Sequence, residues 1–146
     1  MHETMTAREG IMELYARYPH EMDADNAEGV ADCFRPDGRF LISGQGDFRS
    51  HEEIKELVLR TAAGRPPHIT LNVWIKDVKD GVAESMAYFL LIDPGNGAIV
   101  AYGKYSDRPV LCDDGRWRFQ ERRVQFEWTS EEYARTREPK PVQLSD

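Results

Sequence analysis

Cysteine is scarce in this sequence. Cys33 and Cys112 are two thiols among 146 residues, without a CxxC pair, which excludes a disulfide framework and a thiolate metal site. Both read as small apolar residues. Basic side chains are the minority, 19 against 26 acidic, and no Lys/Arg run occurs. A surface that neutralises phosphates is therefore not encoded, and nucleic acid and acidic membrane are excluded as partners. The longest strongly apolar stretch, Ala87 to Ile92, is far short of the roughly 20 residues of a membrane helix. The first ten residues lack the apolar centre of a secretion signal, so a cytoplasmic location is expected. HExxH, two-His-one-carboxylate spacing, a GxGxxG turn and a GxSxG elbow are also missing. The chemistry left open is acid/base catalysis with no cofactor and no metal, or simple binding.

Apolar types make up 40% of the chain and charged types 31%, the latter interspersed, which suits one folded domain. Thr6 and Glu9 form a T-x-x-E capping box, and Ile11, Leu14, Tyr15, Tyr18 and Met22 recur at helical spacing. Pro19 predicts a kink or loosening of that helix near Tyr18. Asp25 and Glu28 read as a second capping box before Ala27, Val30, Ala31 and Phe34. A third helix starts at Ser50, with Glu53 as its box partner, and stops at Gly64 and two prolines.

After Pro67 the apolar period becomes two. Asp80-Gly81, Pro94 to Gly97 and Asp114-Gly115 divide the rest into four segments, about 68–79, 82–93, 98–112 and 116–128. Helices followed by consecutive hairpin strands imply an α+β domain with helices on one face of a curved antiparallel sheet. Residues 129–146 read as a polar tail.

Of four histidines, His2, His20 and His51 fall at a terminus or on charged faces and read as solvated. His68 falls in a strand. Alternation places it with Thr70, Asn72 and Trp74, opposite Ile69, Leu71, Val73 and Ile75. The polar-aromatic face suits a pocket, and the aliphatic face suits burial against a second copy, giving a homodimer. The reverse assignment would leave Trp74 exposed. Asp23 follows Met22 where the first helix ends, so its carboxylate could turn to His68 and fix the imidazole tautomer. In an ideal helix Tyr18 and Asp23 lie roughly 140° apart, so the Pro19 distortion is required if both face one cavity.

Five pieces in order carry a resemblance: Tyr18-x4-Asp23, Phe34-x-Pro36-Asp37-Gly38, His68-x3-Asn72, Tyr105-x-Asp107 and Asp114-Gly115-x-Trp117-x-Phe119-x3-Arg123. The sequence resembles the SnoaL-like branch of the nuclear transport factor 2-like superfamily, with the domain spanning 1–128. The resemblance implies a cone-shaped α+β barrel, usually dimeric, with helices wrapped by a bent sheet around a pocket. It is similar to the branch holding scytalone dehydratase, bile-acid 7α-dehydratase and hexachlorocyclohexane dehydrochlorinase, in which an Asp–His dyad abstracts a proton during elimination. On that likeness Asp23 and His68 are the dyad, and Tyr18 matches the pocket tyrosine of the bile-acid enzyme. The second strand histidine of scytalone dehydratase has no counterpart, because that strand carries Ile99, Val100 and Tyr102. The additional strand acid of the bile-acid enzyme falls at Leu91.

The resulting expectation is a lyase or isomerase, dehydratase- or cyclase-like, acting on a small hydrophobic polyketide, steroid or aromatic ligand. His68 is the general base, Asp23 orients it, and Tyr18 donates to the oxygen that changes charge. Asn72, Trp74, Tyr88, Tyr102 and Phe126 are the expected substrate-binding wall. The alternative is a non-catalytic ligand-binding or assembly subunit of the same fold.

Overall fold

The computed structural model describes residues 5–137. Its elements run α1 (Ala7–Asp23), α2 (Ala27–Asp32), β1 (Phe34–Ile42), β2 (Gly46–Phe48), α3 (His51–Arg60), β3 (His68–Lys79), β4 (Val82–Ile92), β5 (Ile99–Leu111), β6 (Trp117–Thr129) and α4 (Glu131–Arg137). The four long strands therefore start and stop within about one residue of the turn signals. The expected polar tail contains α4, whose Tyr133 packs on the core. Residues 138–146 lie outside the described residues.

The capping box at Thr6 closes reciprocally: Glu9 N–H donates to Thr6, and Thr6 N–H donates to Glu9. Pro19 is buried within a helix that continues to Asp23. The second box is not formed. Asn26, not Asp25, caps α2 by accepting from Gly29 N–H. Asp25 instead takes a φ of 54° and receives the guanidinium of Arg65. At α3 Ser50 accepts from Glu53 N–H, while Glu53 reaches back to the Arg49 amide rather than to Ser50.

One six-stranded sheet has the order β2-β1-β6-β5-β4-β3. β3 to β6 are the expected antiparallel meander. β1 then pairs parallel to β6, and a short β2 hairpins onto it. The sheet is curved and open, with β2 and β3 as edges, so it does not close into the barrel that the resemblance implied. Helices fill the concave side instead. Ile11, Leu14, Tyr15, Tyr18 and Met22 of α1 pack there with Ile54, Leu57 and Val58 of α3 against Phe34, Phe40, Phe89 and Phe119.

Bulges decide which side chains reach that core. At Asn72, with φ 54°, the β3–β4 register slips between Leu71 and Trp74. Parity flips there. Val73 and Ile75, expected on the outer aliphatic row, turn toward the core, while Trp74 moves outward and is 58% exposed. A second slip near Glu127 separates Phe126, opposite Gly103, from Trp128, opposite Tyr102. Ile69, Leu71, Trp74, Tyr88, Tyr102 and Trp128 thus share the outer, convex face.

A charged cluster is sealed inside. Arg122, with no exposed surface, donates from Nε and Nη2 to the two carboxylate oxygens of Asp107 at 2.9 and 3.0 Å. The Tyr15 hydroxyl donates to Asp107 and meets the Ser85 hydroxyl at 2.8 Å. The guanidinium lies 3.7 Å from the Tyr105 ring centre, 4.1 Å from Phe119 and 4.3 Å from Tyr18. Desolvation works against the Arg122 charge, and Asp107 more than offsets it, so the cation is retained. Arg123, the arginine of the sequence motif, is its exposed neighbour and pairs with Glu121.

Candidate active site

Between the helices and the concave sheet lies a cavity of about 680 Å³. Tyr18 and Met22 of α1, Phe40 and Ile42 of β1, His68 of β3, Phe89 and Leu91 of β4 and Tyr105 of β5 form its depth. Its size is in the range that encloses a drug-sized ligand. A second, smaller depression of about 350 Å³ lies between Asp32, His51, Cys112 and Arg118. Arg118 bonds Asp32 and Asp114, and His51 Nε2 bonds the Phe34 carbonyl at 2.9 Å. His51, expected to be solvated, is therefore half-buried and tied to the backbone, whereas His20 is exposed on α1.

The end of α1 brings Asp23 to the first residue of β3. His68 Nδ1–H donates to Asp23 Oδ1 at 2.7 Å, and the His68 amide donates to the same carboxylate at 3.1 and 3.2 Å. Asp23 is thus a staple between α1 and β3 as well as the imidazole's partner. With Nδ1 occupied by the carboxylate, the tautomer assigned to the neutral ring carries its lone pair on Nε2. Nε2 has no protein partner among the described residues, and His68 lines the cavity. Asp23 does not line it. No Pro19 distortion is needed, because Tyr18 faces the cavity while Asp23 meets the His68 ring from outside it.

Tyr18 is 2% exposed and meets His68 edge to face, ring centres 6.4 Å apart. Its hydroxyl has no hydrogen-bond partner among the described residues, and its side chain lines the cavity. Burial pushes the Tyr18 phenol well up, against a lowering pull from Arg122, so at neutral pH it is an O–H donor. Burial does the same to Tyr105, whose ring meets that of Tyr18 edge to face at 6.1 Å.

Of the expected wall, Phe126 lines the cavity, and Asn72, Trp74, Tyr88 and Tyr102 do not. Trp74, Tyr88 and Tyr102 are on the convex face, and Asn72 occupies the exposed bulge. Sequence reasoning missed Tyr105, Phe89, Leu91 and the α4 residues Tyr133 and Thr136. A usable signal was present in β5: Ala101 and Gly103 alternate with Tyr102 and point to the face where another group approaches closely. A Cβ on Gly103 would lie 2.7 Å from the Phe89 ring. That face carries Tyr105.

A sequence profile of the family described as SnoaL-like domain matches residues 3–123. The chain belongs to the SnoaL-like domain family. No curated protein matches it. Solved structures of the nuclear transport factor 2-like fold superpose over most of its length. A protein of unknown function from Mycobacterium tuberculosis, Rv3472, is 26% identical over 94% of this chain and 78% of that one, with a TM-score of 0.72. The hexachlorocyclohexane dehydrochlorinase LinA-type3 from Novosphingobium barchaimii is 17% identical, with 85% and 88% covered and a TM-score of 0.72. ActVI-ORFA from Streptomyces coelicolor is 18% identical, with 81% and 95% covered and a TM-score of 0.72. At such identities the last two establish the shared fold, and this SnoaL-like chain is read from its own residues. Among those described, no group of three or more His, Cys, Asp or Glu side chains is placed to hold a metal ion.

Proposed function

We propose that this SnoaL-like protein is a cofactor-independent lyase or isomerase, dehydratase- or cyclase-like, that abstracts a proton from carbon in a small hydrophobic ligand. The observation that carries the reading is His68 on the cavity wall, held by Asp23 at 2.7 Å from outside it, with a neutral phenol beside it. His68 Nε2 takes the proton. The C–H electron pair moves into the adjacent carbonyl as an enolate, whose oxygen accepts from the Tyr18 hydroxyl. Asp23 stabilises the imidazolium so formed. Return of the proton to another carbon gives isomerisation, attack of the enolate carbon on a second carbonyl of the same ligand, whose oxygen then takes the proton, gives cyclisation, and loss of a β leaving group gives elimination. A positioned base contributes about 10²–10⁴ in rate, which suits C–H groups next to a carbonyl, as in polyketide, steroid and aromatic ketones.

Hydrogen–deuterium exchange at such carbons, followed by NMR, tests the first step without knowledge of the product. A panel of polyketide, steroid and aryl ketones in D₂O should include one whose exchange the protein accelerates. His68→Gln should reduce that acceleration by about 10²–10⁴. If every bound ketone exchanges at the buffer rate, the protein is a ligand-binding or assembly subunit, and if the variant exchanges like wild type, His68 is not the base.

We also propose a homodimer formed through the convex face. Ile69, Leu71, Trp74, Tyr88, Tyr102 and Trp128 form an exposed apolar-aromatic surface there, which a second copy would cover. Two free thiols suit a reducing, cytoplasmic setting. No helix among the described residues is long and apolar enough to cross a membrane.

A further inference from the structure

The chain carries seven more negative than positive charges, yet the described cavity wall contains no Asp or Glu side chain. Its ionisable groups other than phenols are His68, Arg60 and Arg65. The two arginines differ. Arg65 is committed to the fold: Nε donates to Asp25 at 2.9 Å, Nη2 to the Val58 carbonyl at 2.7 Å, and Nη1 contacts Met22 Sδ at 3.2 Å. Arg60 makes no hydrogen bond or ion pair among the described residues, and it borders the cavity beside Thr61.

A last-turn arginine often serves a helix by covering its terminal carbonyls. Here that duty is taken by others. The Leu57 carbonyl accepts from the Thr61 amide and from its hydroxyl at 2.8 Å, the Val58 carbonyl accepts from Arg65, and the Leu59 carbonyl accepts from the Ala62 amide. Lys55, the other cation of α3, is held by Glu28 and Glu52. Among the described residues Arg60 is therefore the uncommitted cation of α3, at a cavity wall that carries no carboxylate.

We propose that Arg60 binds an anionic substituent of the substrate, so that the ligand class is a hydrophobic carboxylate or comparable monoanion. Its apolar body fills the space between Phe40, Phe89 and Phe126 while its charged end stays at the mouth. The proposal rests on the cavity being the substrate site, but its test needs no turnover. A guanidinium offers paired N–H donors to an oxyanion, and a partly exposed pair of this kind is worth up to about fivefold in affinity.

The experiment uses two fluorescent probes with one aryl skeleton, 1-anilinonaphthalene-8-sulfonate and neutral N-phenyl-1-naphthylamine, titrated into the full chain. Arg60→Gln should raise the dissociation constant of the sulfonate about fivefold and leave that of the neutral probe unchanged. Arg60→Lys should recover part of the difference. Repeating both titrations in a His68→Gln background removes the imidazole as a competing cation and separates this outcome from the fate of the proton-transfer reading. Equal weakening of both probes, or a sulfonate affinity indifferent to Arg60→Gln, would overturn the proposal.

Discussion

At the scale of single residues, the internal charges carry opposite expectations for the cavity and the core. Arg122→Met leaves Asp107 buried without its cation and should destabilise the protein by about 3–5 kcal/mol in urea unfolding. Arg122→Met combined with Asp107→Asn, which removes both charges, should recover much of that loss. If the double variant is no better than the single, the cost lies in lost packing among the rings and not in the orphaned charge. Asp23→Asn makes a separate prediction. The amide can still accept the His68 backbone bond but cannot stabilise an imidazolium, so exchange activity should fall much further than thermal stability. The contact between Asp23 and His68 was legible in the sequence because both sit at element ends, Asp23 closing the first helix and His68 opening the first long strand, while the role proposed for it came from the family resemblance. Tyr105 and Arg122 were not. Their neighbours Tyr102 and Arg123 have the same chemistry, and only the register of β5 and β6 decides which of each pair faces inward.

At the scale of elements, turn chemistry located the four long strands, since each DG or PGNG turn ends a run of alternating apolar residues. What alternation could not supply was the bulges. The extra residue at Asn72 costs nothing visible in the pattern HITLNVWI, yet it moves Trp74 from the cavity to the outside and exchanges it with Val73 and Ile75. Asn72→Gly should therefore be tolerated, whereas Asn72→Val, β-branched at φ 54°, should cost roughly 1–2 kcal/mol and perturb the Trp74 fluorescence. The pairing of β1 with β2 makes a prediction about acid. Arg39 bonds Asp47 through Nε and Nη2, and with Arg49 it holds the Asp47 carboxyl down at about 2. Because the folded value lies below the unfolded one, this stabilisation is complete above about pH 4 and disappears as pH falls toward 2. Asp47→Asn should flatten the decline of Tm across that interval in differential scanning fluorimetry, while slightly lowering Tm at pH 7. An unchanged slope would mean that the pair contributes nothing to folding.

At the scale of the whole molecule, the proposed dimer predicts a light-scattering mass about twice the 16.8 kDa of the chain, and Leu71→Asp with Trp74→Asp should return it to one chain mass. A wild-type mass of one chain at micromolar concentration would remove the proposal. The rim of the sheet bears on a different property, the resistance of the chain to stacking. Among the described strands β3 pairs only with β4, so beyond His68, whose amide is held by Asp23, its other edge offers backbone amides and carbonyls, the template from which cross-β assemblies grow. Two register slips interrupt that row, and Lys76 and Lys79 place charge beside it. Deleting Asn72 would straighten the first irregularity and give an incoming strand a longer unbroken ladder. Such a variant should accumulate thioflavin-positive fibrils on incubation at a rate the parent chain does not approach, and the Asn72 bulge would then be a guard against polymerisation as much as a hinge for side-chain direction.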